Sequence, residues 1–273
     1  MTSVAIRPRS PTLSPFIESL CYHEGEIPFA LERVLPAGRM HLMVNLHGDA
    51  IRTYGNPAFG PADQTIGAIL EGPQSKPRII DTSVQRCFVA ADFRLGGAAP
   101  FFRMPLGEVS DQLVGLDQLW RRDGALLRER LLEAATPESK LRIIESVLLR
   151  NLLQPRVPDP AIAFAASSFQ RGATVSAVAA ELGLLGKTFT RRFRDQVGLS
   201  PKRFSRVLRF QRVLRSIRNS QEVNWSALAT EHGYSDQAHF VHDFRDLSGM
   251  TPTAYRPRSA DEQNHVPLAA TAR

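Results

Sequence analysis

The sequence predicts an α+β fold, in which a β-rich N-terminal lobe that also carries helices precedes an all-α C-terminal domain. Three observations predict it. Residues 1 to about 108 alternate apolar and polar side chains between glycine and proline turns, as strands do. From Val109 onward the apolar residues recur at helical spacing. A nine-residue stretch then appears twice, 51 residues apart, as FRDQVGLSP (193–201) and FRDLSGMTP (244–252).

Length and composition predict about two domains. The chain has 273 residues, of which 43% are hydrophobic and 22% charged, as in ordinary globular proteins. The proline-rich stretch LQPRVPDP separates a lobe at 1–155 from a domain at 160–257, and the polar end predicts a disordered tail at 258–273. No apolar run approaches the ~20 residues that span a bilayer, and the N-terminus lacks a signal-peptide core. We therefore expect a cytoplasmic protein with no membrane partner.

Within the lobe, LERVLPAG, MHLMVNLHG and QRCFVAADFRLGG predict strands. LLRERLLEA and TPESKLRIIESVLLRNLL are amphipathic, and Thr136 followed by Pro137 predicts the start of the second helix. Such helices could pair two chains or pack on the strands, so a homodimer stays open. Cys21 and Cys87 stand 66 residues apart. Two buried thiols are the favoured interpretation, and a disulfide or redox switch is the alternative.

A search for catalytic chemistry finds little. His41 and His47 are six residues apart, whereas a metal site inside a small β-barrel needs an H-x-H pair with a further carboxylate and histidine downstream. G-x-S-x-G, P-loop and dinucleotide-binding motifs do not occur in the sequence. We therefore expect no enzyme activity, no cofactor and no metal, and an enzyme fused to the C-terminal domain is the alternative.

Each copy of the repeat predicts two short helices joined by a turn. TVSAVAAELG (174–183) and NWSALATEHG (224–233) each start with a capping residue, bury one face and end on a glycine. After three or four residues a second helix follows. Its predicted buried residues are Phe189, Phe193 and Val197 in the first copy, and Phe240, Phe244 and Leu247 in the second. Two helices around a tight glycine-containing turn form a helix-turn-helix.

A longer helix joins the two copies. Ser200-Pro201 and Thr251-Pro252 each predict a cap followed by proline at the first helical position. The stretch PKRFSRVLRFQRVLRSIR then gives about 17 helical residues, roughly 26 Å in length. Successive major grooves on one face of DNA are ~34 Å apart, so the two units could enter neighbouring grooves.

The net charge is concentrated in one segment. The chain carries +7, yet residues 186–218 contain eleven basic residues and only one acid, Asp195, and so carry +10, which leaves −3 for the rest. Such a block indicates a polyanionic partner. Six to ten phosphate contacts would make DNA affinity fall roughly 10³–10⁵-fold between 50 and 200 mM salt.

Residues from about 160 to 256 resemble the C-terminal domain of AraC/XylS-family transcriptional regulators. The resemblance lies in F-x3-F-R-D-x2-G-L-S-P, in RFQR of the joining helix, and in GYSDQAHF followed by FRDLSGMTPTAYR. It implies seven helices, double-stranded DNA as partner and regulation of transcription at the nucleoid, more often by activation and then with RNA polymerase. The N-terminal lobe is similar to the cupin-like sensing domains of this family, of an uncharacterised type, and so implies a small-molecule effector.

The outward face of each second helix matches the base-contact positions of this family. These positions are Lys187, Thr190, Arg191 and Arg194 in the first copy, and Gln237, Ala238, Val241, His242 and Arg245 in the second. Lysine and arginine form hydrogen bonds with O6 and N7 of guanine, and glutamine forms hydrogen bonds with adenine. Phosphate contacts are expected from Ser200, Lys202, Arg203, Ser235 and Thr251.

Two departures from the family pattern affect this prediction. Many relatives carry arginine where His242 stands, so the second copy is expected to read DNA less strongly. At Leu185-Gly186 the usual Ser or Thr cap is missing, so the first recognition helix is expected to fray at its start. His232 and His239 are expected to pack inside the second unit. Two hypotheses remain for the whole chain: an effector-responsive regulator, or a ligand-independent DNA-binding protein whose N-terminal half only dimerises.

Overall fold

The computed structural model describes residues 2–55, 62–153, 159–184, 186–218 and 223–268. Among these residues, two antiparallel sheets and three α-helices form the N-terminal lobe, and six α-helices form the C-terminal domain. The predicted α+β fold is therefore confirmed. Within these ranges, no helix has the length and apolar composition needed to cross a membrane.

The described part of the N-terminal lobe contains ten strands. They are β1 (Thr2–Ile6), β2 (Ile17–Glu24), β3 (Leu31–Val34), β4 (His41–Asn45), β5 (Ala50–Tyr54), β6 (Asp63–Ile66), β7 (Ala68–Glu71), β8 (Arg78–Asp81), β9 (Cys87–Phe93) and β10 (Leu113–Gly115). The first sheet has the order β1-β2-β9-β4-β7-β10, and the second contains β3-β8-β5-β6. All three predicted strand stretches form strands.

The apolar core of the lobe lies between the first sheet and the helices. Those helices are α1 (Leu116–Trp120), α2 (Arg122–Glu133) and α3 (Pro137–Asn151). Leu42 and Val44 on β4 are fully buried against this helical layer. Because side chains alternate along a strand, His41 and Met43 point to the opposite face. Thr136 caps α3 through a reciprocal pair of hydrogen bonds with Ser139, as the sequence predicts for the start of this helix. The helices therefore pack on the strands of their own lobe.

The C-terminal domain begins with α4 (Pro160–Gln170). The first copy of the repeat is α5 (Val175–Glu181) and α6 (Gly186–Val197), the joining helix is α7 (Pro201–Ser216), and the second copy is α8 (Trp225–Glu231) and α9 (Gln237–Ser248). A 3-10 turn at Pro252–Ala254 stands where a seventh helix was expected. Thr174 and Asn224 cap α5 and α8 by accepting backbone N–H bonds of 3.2 and 3.0 Å. The duplicated helix-turn-helix is confirmed.

The joining helix α7 belongs to two hydrophobic cores at once. Phe204 and Leu208 pack in the core of the first unit, whereas Val207 and Val213 pack in that of the second. Phe210 is also fully buried in the second core, although the sequence pattern did not assign it. The helix is therefore the shared wall of both units, as well as the spacer that the sequence predicts.

The end of the chain corrects the prediction of a disordered tail at 258–273. His265–Leu268 forms β11, which pairs antiparallel with β3 and extends the second sheet of the N-terminal lobe. Val266 is buried in the second core, and the fully buried Glu32 on β3 accepts hydrogen bonds from Arg258 and from a ring nitrogen of His265 at 2.8 and 3.1 Å. The polar composition that predicted disorder thus supplies a buried ionic cluster. Residues 269–273 lie outside the described ranges, as do residues 154–158 of the predicted linker.

Both cysteines are free thiols, so the disulfide alternative is wrong for this structure. They lie on the adjacent strands β2 and β9 but out of register, since Cys21 faces Ala90 and Cys87 faces Glu24. Each is half-buried, which is less enclosed than predicted. Burial, with a smaller contribution from the charge of Asp92, raises the pKa of Cys21 to about 12, so this thiol is protonated at neutral pH.

Candidate nucleic-acid interface

The second helix of the first unit, α6, separates an apolar face from a basic one. Phe189, Phe193 and Val197 are buried in the first core. The predicted base-contacting residues Lys187, Thr190, Arg191 and Arg194 are all exposed on the other side. Gly186 is the first residue of the helix, and Leu185 lies outside the described ranges, so the expected fraying at Leu185-Gly186 stays a prediction.

The equivalent helix of the second unit, α9, has the same arrangement with fewer charges. Phe240, Phe244 and Leu247 are buried. Four of the predicted base-contacting residues are exposed: Gln237, Ala238, His242 and Arg245. The fifth, Val241, is half-buried against the second core. Asp236 caps this helix by accepting the His239 N–H at 2.7 Å, and that hydrogen bond lowers the pKa of Asp236.

The predicted phosphate-contacting residues fall into two groups. Ser200 caps α7 by accepting the Arg203 N–H at 3.4 Å, which leaves the Lys202 and Arg203 side chains exposed in the first turn of this helix. In the second unit the hydroxyl groups are already used locally. Ser235 bonds to His239 at 3.1 Å, and Thr251 pairs with Thr253 instead of capping the turn that follows. The predicted cap role of Thr251 is therefore wrong.

The basic block is divided between folding and surface charge. Six of its eleven cations contact other described residues. Arg192 pairs with Asp159, Arg194 with the Gly107 carbonyl, Arg206 with Asp243 and Asp246, Arg209 with the Gly233 carbonyl, Arg212 with the Phe169 carbonyl, and Arg218 with Asp261. The side chains of the other five have no partner among the residues described: Lys187, Arg191, Lys202, Arg203 and Arg215. Counting charges in the sequence therefore overstates the free positive charge.

His232 and His239 both contact residues of the second unit, as predicted, although His239 is exposed and only His232 is half-buried. His232 Nε2 lies 2.9 Å from the Ser216 hydroxyl, and burial lowers the pKa of His232, so its ring is neutral at pH 7. His239 stands edge-on to the Tyr234 ring at 5.3 Å. These contacts stabilise the turn that positions α9.

A polar cavity of about 630 Å³ separates the lobes, and the sequence did not predict it. His41 and Glu71 line it from the first sheet, Arg215 from α7 and His265 from β11. Burial opposes protonation of His41, but a 2.7 Å bond to Asp92 and the charge of Glu71 outweigh burial and raise the His41 pKa. The Gln74 Oε1 atom is buried at this cavity without a hydrogen-bond partner. No local sequence pattern marks the cavity, because several segments that are distant in the sequence form it.

Comparison with known proteins identifies two regions of the chain. Residues 178–258 match a helix-turn-helix domain family, and residues 5–115 match a domain family of unknown function. The HTH-type transcriptional regulator GadX of Escherichia coli is 29% identical over 151 residues, which are 55% of this chain and 54% of GadX. An uncharacterised HTH-type transcriptional regulator of Haemophilus influenzae is 28% identical over 122 residues, 40% of this chain and 41% of the relative.

This chain therefore spans about half the length of the curated relatives it matches. Among solved structures, apo ToxT from Vibrio cholerae is 12% identical, with a TM-score of 0.43, and the match covers 86% of this chain and 95% of ToxT. A structure of ToxT with a bound unsaturated fatty acid is 9% identical, with a TM-score of 0.42, over 86% of this chain and 92% of ToxT.

Proposed function

We propose that this protein, whose residues 178–258 match a helix-turn-helix domain family, is a sequence-specific DNA-binding regulator of transcription of the AraC/XylS type that reads two successive major grooves. One observation carries the proposal. Two equivalent helices, α6 and α9, expose their polar faces on one chain, and both are packed against the same rigid helix α7.

The two faces supply different readout chemistry. On α6, Lys187 and Arg191 present free cations that can each bond guanine O6 and N7, and Thr190 stands between them. On α9, Gln237 suits adenine and Ala238 suits a thymine methyl, whereas His242 is drawn toward Asp246 at 3.6 Å. The first helix thus supplies most of the free charge, and the second adds selectivity with weaker contacts.

A footprint of the full chain tests this proposal. We expect protection of two stretches whose centres are ~10.5 bp apart, because neighbouring major grooves on one face are one helical turn apart. Arg191→Ala should weaken specific binding by ~1–3 kcal/mol, the worth of one bidentate base contact. His242→Ala should cost less, since its ring contacts an acid of its own helix. A single protected stretch on every selected duplex, or equal losses in the two variants, would contradict the proposal.

We further propose that an effector regulates this binding from the cavity between the lobes. Glu71 and His41 stand opposite each other on neighbouring strands and both line the cavity, and Asp92 on the next strand bonds to His41. Arg215 lines the same space from the DNA-binding domain, and the unpartnered Gln74 Oε1 can accept a hydrogen bond from a ligand. A ligand here would contact both lobes at once, so its binding free energy would depend on how they are docked.

Thermal unfolding in the presence of a metabolite library tests the effector. A true ligand at 100 times its Kd should stabilise the protein by ~2.7 kcal/mol. Gln74→Ala should reduce that stabilisation, while Gln64→Ala, an exposed change on β6, should preserve it. Stabilisation that both variants retain would place the ligand elsewhere. If no compound stabilises the wild type, the ligand-independent dimerising protein becomes the better hypothesis.

A further inference from the structure

The turns that end the two recognition helices are equivalent in the repeat. Gly198 follows α6 and Gly249 follows α9, 51 residues later, with φ of +90° and +71°. Glycine adopts this left-handed conformation without a steric penalty, which explains its use at both helix ends. Both turns also contact the N-terminal lobe, and neither glycine is one of the predicted base-contacting residues.

At the end of α6 the contact is close packing. A β-carbon on Gly198 would lie 2.4 Å from Pro73 Cγ and 3.2 Å from the Leu106 carbonyl oxygen. Arg194, one helical turn before Gly198 on α6, contacts Gly107 of the lobe. A β-carbon on Gly107 would lie 2.8 Å from Arg194 Cγ, and Arg194 Nη2 lies 3.5 Å from the Gly107 carbonyl oxygen. The turn after α6 therefore has no room to shift toward the lobe.

The part of the lobe that meets α6 is itself braced. The Ser75 N–H and hydroxyl donate to the two oxygens of Asp111, at 2.5 and 2.7 Å. Arg78 Nη2 adds a 3.0 Å bond to the Asp111 carbonyl, and the Gly72 N–H bonds to the Gln112 carbonyl at 3.0 Å. These bonds hold the Pro73 segment against the Leu106 segment, so the surface that receives Gly198 is rigid.

At the end of α9 the contact is electrostatic. Arg33 Nη1 donates to the Gly249 carbonyl at 3.3 Å, and a β-carbon on Gly249 would lie 3.3 Å from Arg33 Cζ. A cation at a helix C-terminus is favoured by the helix dipole and by its unpaired carbonyls. Arg33 lies on β3 between β8 and β11, so its backbone is fixed by hydrogen bonds on both sides.

We propose that the N-terminal lobe sets the separation and tilt of the two recognition helices by holding their equivalent C-terminal turns, with Arg33 and Pro73 as the positioning residues. Neither residue is among those predicted to contact bases or phosphates. They act on α6 and α9 from the ends opposite Lys187 and Gln237, so the N-terminal parts of both polar faces stay free, whereas Arg194 near the end of α6 itself contacts the lobe. A change in the lobe would then alter how well one duplex fits both helices together, without altering either contact alone.

This inference rests on the proposed reading of two grooves, and a four-duplex experiment separates the two claims. The probe is the sequence that wild-type protein selects from a random duplex library, together with versions that have the first, the second or both half-sites scrambled. The four dissociation constants give a coupling factor between half-sites. We expect Arg33→Ala to lower this factor about fivefold or more, within the usual range of couplings between sites.

The affinity for each single half-site should stay at the wild-type level, which a loss of folding would not produce. Arg33→Lys should recover part of the coupling, because it keeps a cation at the end of α9. Arg86→Ala, which removes an exposed pair with Glu26, is the matched control and should keep the coupling unchanged. If Arg33→Ala unfolds, Pro73→Ala applies the same test at the end of α6.

Each outcome decides one claim. Wild-type coupling in both Arg33→Ala and Pro73→Ala would overturn the positioning role while leaving the DNA-binding proposal intact. A wild type that selects only one half-site, or that shows no coupling between two, would instead overturn the reading of two grooves.

Discussion

The affinity for the selected DNA duplex is expected to fall roughly 500- to 2,000-fold between 50 and 200 mM salt, with a slope of about −4.5 to −5.4 in a plot of log affinity against log salt. A cation that enters the groove displaces counterions whether it bonds a base or a phosphate, so the slope counts every free cation near the recognition helices. Five side chains there have no partner among the residues described: Lys187, Arg191, Lys202, Arg203 and Arg245. Arg194 becomes a sixth if DNA draws it from the Gly107 carbonyl.

This expectation lies at the lower end of the range that the charge count alone predicts. If all eleven basic residues of the block reached phosphates, the slope would approach −10. The structure instead places Arg206 and Arg212 in contacts that stabilise the domain. Phosphate neutralisation by these two would require breaking those contacts first.

Two variants test the assignment of free and committed charges. Lys202→Ala should reduce the salt slope by about 0.9, the worth of one phosphate contact. Arg192→Ala should leave the slope unchanged, because its guanidinium is paired with Asp159 at the start of α4. Titrations at four or five salt concentrations measure both. A flat response of the wild type, or equal slopes for the wild type and Lys202→Ala, would contradict phosphate binding at this surface.

Local features of the C-terminal domain were predictable because local signals determine them. These signals act over one or two helical turns. They are helix caps such as Thr174 and Asn224, glycine turns such as Gly198, and apolar side chains that recur every 3.6 residues. The same pattern recurs about 51 residues later, and two copies of one pattern fold in the same way. The repeat therefore predicted which helices pair in each unit. The burial of Phe189 and Phe240 follows from that alone.

Features that join distant segments could not be predicted in this way. Arg258 and Glu32 are 226 residues apart, and nothing near either residue marks its partner. The interlobe cavity and the contact between Arg33 and Gly249 depend on the same return of the chain. The polar tail satisfied every local criterion for disorder, yet residues 258–268 are ordered because a buried carboxylate on β3 needs counter-charges.

Removal of Arg258 is expected to produce the largest loss of stability, about 3–5 kcal/mol, because it leaves a buried carboxylate without its permanently charged partner. Glu32 is fully buried, and its two oxygens are held by Arg258 and His265. Arg86→Ala is the control, because an exposed pair such as Arg86–Glu26 is worth only ~0–1 kcal/mol. Denaturant unfolding of the full chain, followed through both lobes, measures the difference.

The pH dependence gives the same cluster a second test. Burial alone would raise the pKa of Glu32, but the hydrogen bonds and charges of His265 and Arg258 outweigh burial and lower it. A carboxyl whose pKa is lower in the folded state stabilises the protein at every pH above its pKa in the unfolded state. That stabilisation is lost as the pH falls through its pKa in the folded state. The wild type should therefore stay folded to a lower pH than Arg258→Ala.

Adding Glu32→Gln to Arg258→Ala should recover part of the lost stability, because the uncompensated charge of the buried carboxylate is then gone. Equal stability of Arg258→Ala and Arg86→Ala at every pH would show that β11 is held by backbone pairing and Val266 alone.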